Sequence, residues 1–135
     1  MGTGAGIVDS VKPGGLVAIG TKLDPSLTRG DSFLGSVIGK PDSLPENSDI
    51  AKLKVNLFDS AVGSGKDEKI VPIKSGENLR VNIGTAPILG KVTKVNSEII
   101  ELSLRRSVCL FNDSNVAISR RISDRWRLIG AGIIG

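Results

Sequence analysis

The sequence has no histidine and no tyrosine, and only one cysteine, one tryptophan and three phenylalanines in 135 residues. Without histidine, the chain lacks the commonest general base and the commonest metal ligand. The single cysteine, Cys109, excludes a disulfide framework within the chain and a cysteine-rich zinc site. Its neighbours Val108 and Leu110 are apolar, which predicts a buried strand position. So few aromatic residues disfavour the base-stacking surfaces of many RNA-binding folds.

Long apolar runs are also missing. None approaches the ~18 residues of a membrane-spanning helix. Residues 1–6 lack the charged start and apolar block of a signal peptide, and residues 1–10 are expected to be disordered or vector-derived. These features predict a cytoplasmic protein with no membrane contact. The net charge of +4 and the pI of about 9.5 favour an acidic partner such as RNA.

No constellation of catalytic residues is apparent. The carboxylates are scattered, and no pair has the setting of a general acid and base. The segment Gly63-Ser-Gly-Lys66 resembles a phosphate-binding loop, but Ser60 stands where the motif requires glycine. Asp67 stands where it requires serine or threonine. The sequence therefore predicts no enzymatic activity, no cofactor and no metal in this chain.

Alternation of apolar and polar residues predicts an all-β fold. From about residue 50 the chain shows seven or eight short strand-like segments at roughly ten-residue spacing, which is typical of an antiparallel sandwich or barrel. Upstream, short strands are expected at residues 16–19 and 32–39. Two prolines and no periodicity mark a linker at residues 41–49. The predicted strands after it are residues 51–58, 70–73, 78–84, 89–95, 99–104 and 108–111, followed by a hairpin.

That hairpin contains the only tryptophan. Ser123 and Asp124 form a short polar link between two alternating runs, which indicates a tight turn. After the turn, Trp126 shares one side of the strand with Leu128, and arginines occupy the other side. We therefore expect Trp126 in the core. Arg127 is expected to be structural, its stem covering the core and its head in an ion pair.

Arginine is concentrated near the C-terminus. Its planar guanidinium suits phosphates and carboxylates. Some of these side chains could instead pair with Glu101, Asp113 or Asp124 and hold strands together. The interpretation left open is that at least two of them form an exposed face for RNA or for a protein partner. The candidate binding residues are Arg105, Arg106, Arg120, Arg121 and Arg125.

Four ordered motifs resemble the gamma subunit of archaeal and eukaryotic translation initiation factor two. Together they cover roughly residues 11–134, and their order is more specific than any one of them. The motifs are Pro13-Gly-Gly-Leu-Val-Ala-Ile-Gly-Thr-Lys-Leu-Asp-Pro25, Gly35-Ser-Val-Ile-Gly-Lys-Pro41 with Leu44-Pro45, Leu79-Arg-Val-Asn-Ile-Gly-Thr85, and Ser119-Arg-Arg with Trp126-Arg-Leu-Ile-Gly130.

The resemblance implies two parts. Residues 50–135 would be the small antiparallel β-barrel at the end of that subunit. Residues 11–40 would be remnant strands of its middle β-barrel, which implies a longer protein. In that case the apolar side chains of this part would have to be covered by the last domain or by sequence outside this chain. These side chains are Val17, Ile19, Phe33 and Val37.

The resemblance also implies a function. With GTP, Mg²⁺ and its alpha and beta partners, the parent factor delivers methionyl initiator tRNA to the small ribosomal subunit. This chain would be a non-catalytic part of it, facing ribosomal RNA, initiator tRNA or the parent GTPase domain. One alternative is a protein-interaction barrel that docks the GTPase domain or an assembly factor without touching RNA. The other is the last barrel of a selenocysteine-type elongation GTPase.

Overall fold

The computed structural model describes residues 1–61 and 69–135. These residues form two compact units, Met1–Phe33 and Leu34–Gly135. The loop-like segment Gly63-Ser-Gly-Lys66 lies outside the described residues. The predicted domain bounds at residues 10, 40 and 49 stay predictions.

The first unit contains little regular structure. Strands β1 (Gly2–Thr3) and β2 (Gly6–Ile7) form a small antiparallel pair within the segment expected to be disordered, and a short 3-10 helix spans Pro25–Asp31. No residue of this unit is buried. The backbone N–H of Ser26 donates to the Asp24 carboxylate at 2.9 Å, and the hydrogen bonds from Ser26 lower the pKa of Asp24. This is the turn chemistry expected of an aspartate ahead of a helical turn.

The second unit is a closed antiparallel barrel of six strands, in the order β3-β6-β5-β4-β7-β8. The predicted all-β class and the small closed barrel are confirmed. The strands are β3 (Asn47–Leu57), β4 (Asn78–Ile83), β5 (Ala86–Asn96), β6 (Ile99–Cys109), β7 (Asn115–Ile122) and β8 (Arg125–Ile134).

Alternate residues of these strands fill the barrel. Leu53, Leu102 and Ile118 have no exposed surface, and the polar residues between them face outward. Burying a leucine or isoleucine contributes about 2–3 kcal/mol, so this interior is the main source of stability. Each of the six barrel strands contributes to the buried cluster, which includes Leu53, Leu79, Val81, Ile88, Val92, Leu102, Val116, Ile118 and Ile129.

Several predicted strands were wrong. Residues 32–39 and 70–73 form turns and irregular backbone, and within residues 16–19 only Ala18 makes a β-bridge. Gly35 has a φ of +83°, which ends any extended run, and Pro72 has no N–H for a ladder. Conversely, the predicted segment 99–104 and the first two residues of the predicted segment 108–111 belong to the single strand β6, which ends at Cys109. Of the seven or eight strands expected after residue 50, the described residues contain six.

The link between β7 and β8 is the predicted tight turn. Ile122 pairs with Arg125, so only two residues connect the strands. Ser123 and Asp124 have φ of +50° and +63°. Positive φ at both central positions matches the twist of a two-residue hairpin, and aspartate tolerates it better than most residues.

A β-bulge in β8 changes which residues face inward. Ile118 pairs with Gly130 while Ser119 pairs with Leu128, so Ile129 has no partner on β7. Ile129 is fully buried. Beyond the bulge the even-numbered residues are buried, whereas before it Trp126 and Leu128 lie on the outer face. The expected inward orientation of Trp126 was therefore wrong, because one extra residue reverses the alternation.

The barrel closes where β8 meets β3, and two glycines allow that approach. Gly130 pairs with Leu57 and Gly132 with Val55. A Cβ built on Gly130 would lie 2.5 Å from the carbonyl oxygen of Asn56 and 3.0 Å from the Cα of Leu57. Backbone atoms cannot yield as a flexible side chain can, so only glycine fits at residue 130.

We predict that Gly130→Ala destabilises the barrel by about 3 kcal/mol or more, because the added methyl group must push β3 away from β8. Gly132→Ala should cost less, because its Cβ would meet the Ile118 methyl group at 3.3 Å. Urea denaturation of the three proteins gives the comparison.

Gly135→Ala is the matched control, because a Cβ there meets no atom within 4 Å. It should leave the urea midpoint unchanged. Equal stability of Gly130→Ala and Gly135→Ala would contradict the close approach of β8 to β3.

Candidate functional site

A row of polar side chains crosses the outer surface of the barrel. Residues directly opposite each other in an antiparallel ladder share a face. Trp126 pairs with Arg121 between β8 and β7. Asn78 on β4 pairs with Lys91 on β5, which in turn pairs with Ser103 on β6.

The pairing of β4 with β7 joins these two halves of the row. Arg80 pairs with Ser119. Two residues further along the ladder, Asn78 lies beside Arg121. Side chains from five neighbouring strands therefore line one open depression, the outer groove, which includes Asn78, Lys91, Ser103, Arg105, Arg121 and Trp126.

The outer groove is cationic. Lys91, Arg105 and Arg121 contribute positive charge, and no acidic residue is among the described residues that line it. Arg121 has a side chain 61% exposed, and one guanidinium nitrogen lies 3.6 Å from the carboxylate of Asp124 in the adjoining turn. An exposed pair of this kind is worth at most about 1 kcal/mol. It leaves most of the arginine donors available to a ligand.

Trp126 forms one wall of the outer groove. It is half-buried, and the guanidinium carbon of Arg80 lies 5.2 Å from the centre of its ring. This distance is within the range of a cation–π contact, which contributes about 0.5–2 kcal/mol. The Nε of Arg80 is buried and has no hydrogen-bond partner among the described residues. The expected structural role of Trp126 stays a prediction, now at the outer surface.

Arg120 has a different environment. Its side chain is 15% exposed and donates Nε and Nη2 to the two oxygens of Glu77, the latter at 3.2 Å. Nη1 donates to the carbonyl oxygen of Val71 at 2.8 Å. Arg120 therefore ties β7 to the segment that leads into β4. Its carboxylate partner, Glu77, is not one of the three proposed from the sequence.

The other predicted arginines lie apart from the outer groove. Arg106 is exposed, and its Nη2 donates to the carbonyl oxygen of Leu34 at 3.0 Å. Arg125 is exposed beside the β7–β8 turn. Arg127 pairs across the ladder with Arg120 and is half-buried, and no ion pair of Arg127 is found in the described part of the chain. Of the five binding candidates, the structure brings Arg105 and Arg121 together.

Sequence reasoning missed Lys91, Arg80 and Asn78 as members of this surface. Each occupies an outward position of its strand, and the alternation of β4 and β5 was sufficient to indicate that. Their proximity to Arg121 could not be predicted from the sequence, because it depends on the pairing of β4 with β7, two strands that are separated by β5 and β6 along the chain.

A metal-binding cluster and a membrane-spanning helix are both absent from the described residues. Residues 1–61 and 69–135 contain no group of three or more Cys, Asp or Glu side chains that could hold a metal ion. No helix in the same ranges is long and apolar enough to cross a membrane.

Comparison with known proteins places this barrel in a family. Residues 49–134 match the family model described as "Initiation factor eIF2 gamma, C terminal". The chain belongs to the eIF2 gamma family. The resemblance seen in the ordered motifs is thereby confirmed.

Individual relatives agree with this assignment. Translation initiation factor 2 subunit gamma of Archaeoglobus fulgidus is 49% identical over 127 residues, which is 94% of this chain and 30% of the relative. The subunit from Pyrococcus abyssi is 48% identical over 131 residues, or 97% of this chain and 32% of the relative. The chain thus spans about a third of the length of these relatives. The matched part of the eIF2 gamma subunit is a non-GTPase β-barrel domain.

We predict that Arg120→Ala lowers the free energy of unfolding by about 2–3 kcal/mol. The substitution removes three charge-assisted hydrogen bonds and leaves the Glu77 carboxylate, which is 22% exposed, without its partner. Urea denaturation followed by circular dichroism measures the change.

Arg121→Ala serves as the matched control, since it removes the same side chain from the neighbouring residue. Its pair with Asp124 is exposed, so stability should change by no more than about 0.5 kcal/mol. Equal losses for the two variants would show that Arg120 contributes no special stabilisation.

Proposed function

We propose that this chain is the positioning part of an initiation-factor gamma subunit, with the outer groove as its RNA-binding face. In the complete factor, GTP and Mg²⁺ bind elsewhere, and the alpha and beta subunits complete the assembly. The assembly delivers methionyl initiator tRNA to the small ribosomal subunit in the cytoplasm. This chain makes and breaks no bonds. It fixes the orientation of RNA relative to the rest of the factor.

The observation that carries the proposal is the unbalanced charge of the outer groove. Lys91, Arg105 and Arg121 come from three different strands, yet no acidic residue is among the described groove-lining residues. A stabilising surface network would bring both signs together, as Arg120 and Glu77 do. Three cations held by a rigid barrel suit a run of phosphates, which fix position without reading sequence.

A protein partner with acidic side chains could meet the same cations. Phosphate contact predicts a steep salt dependence for helical RNA, because each neutralised phosphate releases condensed counterions. An acidic protein surface has no such condensed layer. The salt slope of RNA binding therefore separates the two partners.

We predict that replacing Lys91, Arg105 and Arg121 together by alanine flattens the salt dependence of RNA binding by about 2–3 units on a log–log plot. Affinity should fall for both initiator tRNA and a helix of small-subunit ribosomal RNA. Fluorescence anisotropy with labelled RNA at several salt concentrations measures both quantities.

The matched control replaces Lys40, Lys52 and Lys54, which are exposed and line no part of the outer groove. It removes the same net charge. If the salt dependence flattens equally in the two variants, the effect comes from the lost net charge and not from the outer groove. No change in either would direct the search to the parent GTPase domain, the partner subunits or an assembly factor.

A further inference from the structure

The outer groove combines its cations with an aromatic wall. Trp126 shares the row with Arg121 and Lys91, at one and three strand spacings respectively. Adjacent strands are about 4.8 Å apart, so Lys91 lies roughly 14 Å along the surface from the indole. A ligand in the groove would meet positive charge along one part of its length and a ring at the end.

Arg80 holds that ring in place. Its guanidinium carbon lies 5.2 Å from the ring centre, and its stem emerges from the rigid strand β4 between Ser119 and Leu89. The indole is therefore oriented before any ligand arrives. A pre-oriented ring loses less conformational entropy on binding than a free one.

Arg80 also has unused hydrogen-bonding capacity. Its Nε is buried and has no hydrogen-bond partner among the described residues, so the ring contact is the interaction of its guanidinium that the structure shows. No hydrogen bond or ion pair of Arg80 is found among the residues that the structure describes. Together with Lys91, Arg105 and Arg121, it brings the number of cations on this outer face to four.

From this arrangement we infer that the outer groove is a site for an unpaired RNA nucleotide and its neighbours, with the base stacked on Trp126, the adjoining phosphate on Arg121 and phosphates further along the same strand on Lys91 and Arg105. The inference rests on the proposed RNA-binding function and makes it more specific. The open groove has a volume of about 650 Å³. This is within the range of ~300–1,000 Å³ for sites of drug-sized ligands.

Stacking on Trp126 requires an unpaired nucleotide, because the bases of an RNA helix are not accessible to a protein side chain. In a continuous A-form helix the bases are stacked inside, and a protein meets phosphates and hydroxyl groups. The cations of the groove could bind such a helix, but Trp126 would then have no base to stack on. A bulged, looped or terminal base can leave the stack and lie on an aromatic ring at a gain of about 1–3 kcal/mol.

Tryptophan fluorescence tests directly whether a base stacks on Trp126. Trp126 is its only tryptophan, and it has no tyrosine, so all indole fluorescence comes from the proposed site. We would titrate the 135-residue chain with two RNA hairpins of the same stem sequence. One hairpin has a perfect stem, and the other carries a single unpaired adenosine. We expect both to bind, the bulged hairpin about tenfold more tightly, and only the bulged one to quench Trp126 strongly.

Variants separate stacking from charge. Trp126→Leu should bind the perfect hairpin as the native chain does and lose the tenfold preference for the bulged one. Trp126→Phe keeps an aromatic ring and should keep part of the preference. Unchanged binding of the perfect hairpin by Trp126→Leu also shows that this variant is folded.

The outcomes distinguish the inference from the function on which it rests. If both hairpins bind equally, with the salt slope that depends on Lys91, Arg105 and Arg121, stacking is overturned and RNA binding stands. If Trp126→Leu weakens both hairpins by the same factor, Trp126 acts only through the fold and stacking is again overturned. If neither hairpin binds, the proposed RNA face and the stacked nucleotide fail together.

Discussion

The closure of the barrel at β3 and β8 is the constraint on which the rest of the structure depends. Gly130 lets the backbone of β8 come against Asn56 and Leu57 at a distance that no side chain would allow. Closure removes the free edges that would otherwise pair with other chains. The strand order of the barrel also sets β4 beside β7, although β5 and β6 separate them along the chain. Both the buried interior and the outer groove follow from this ring of six strands.

Two neighbouring arginines, Arg120 and Arg121, have different roles in the closed barrel. Arg120 and Arg121 are adjacent, so their side chains leave opposite faces of β7. Arg120 is held by Glu77 and by the carbonyl of Val71, and it contributes to holding the fold together. Arg121 lies in the outer groove beside Trp126, with a weak, exposed ionic partner. The same residue type thus stabilises the protein at one position and is available to a ligand at the next.

Sequence patterns predicted the fold class and most of the strands, because alternation with a period of two is strong in β3, β4 and β6. The two-residue turn at Ser123 and Asp124 could also be predicted from the sequence. The orientation of Trp126 was not, because the bulge at Ile129 depends on which residues of β7 face β8. The membership of Lys91 and Asn78 in the groove depends on strand order, which no local pattern encodes. Arg120 could be recognised as cationic from the sequence, but its carboxylate partner lies 43 residues away.

The bulge at Ile129 lets one strand contribute to both the outer surface and the interior. On the N-terminal side of the bulge, β8 presents Trp126 and Leu128 outward, while on the other side Gly130, Gly132 and Ile134 are directed at the interior. The fully buried Ile129 anchors the junction between these two halves. The closure depends on the residues after this junction, because Gly130 and Gly132 are the ones that pair with β3. One strand therefore forms a wall of the outer groove with its first half and seals the barrel with its second, and a single inserted residue separates the two roles.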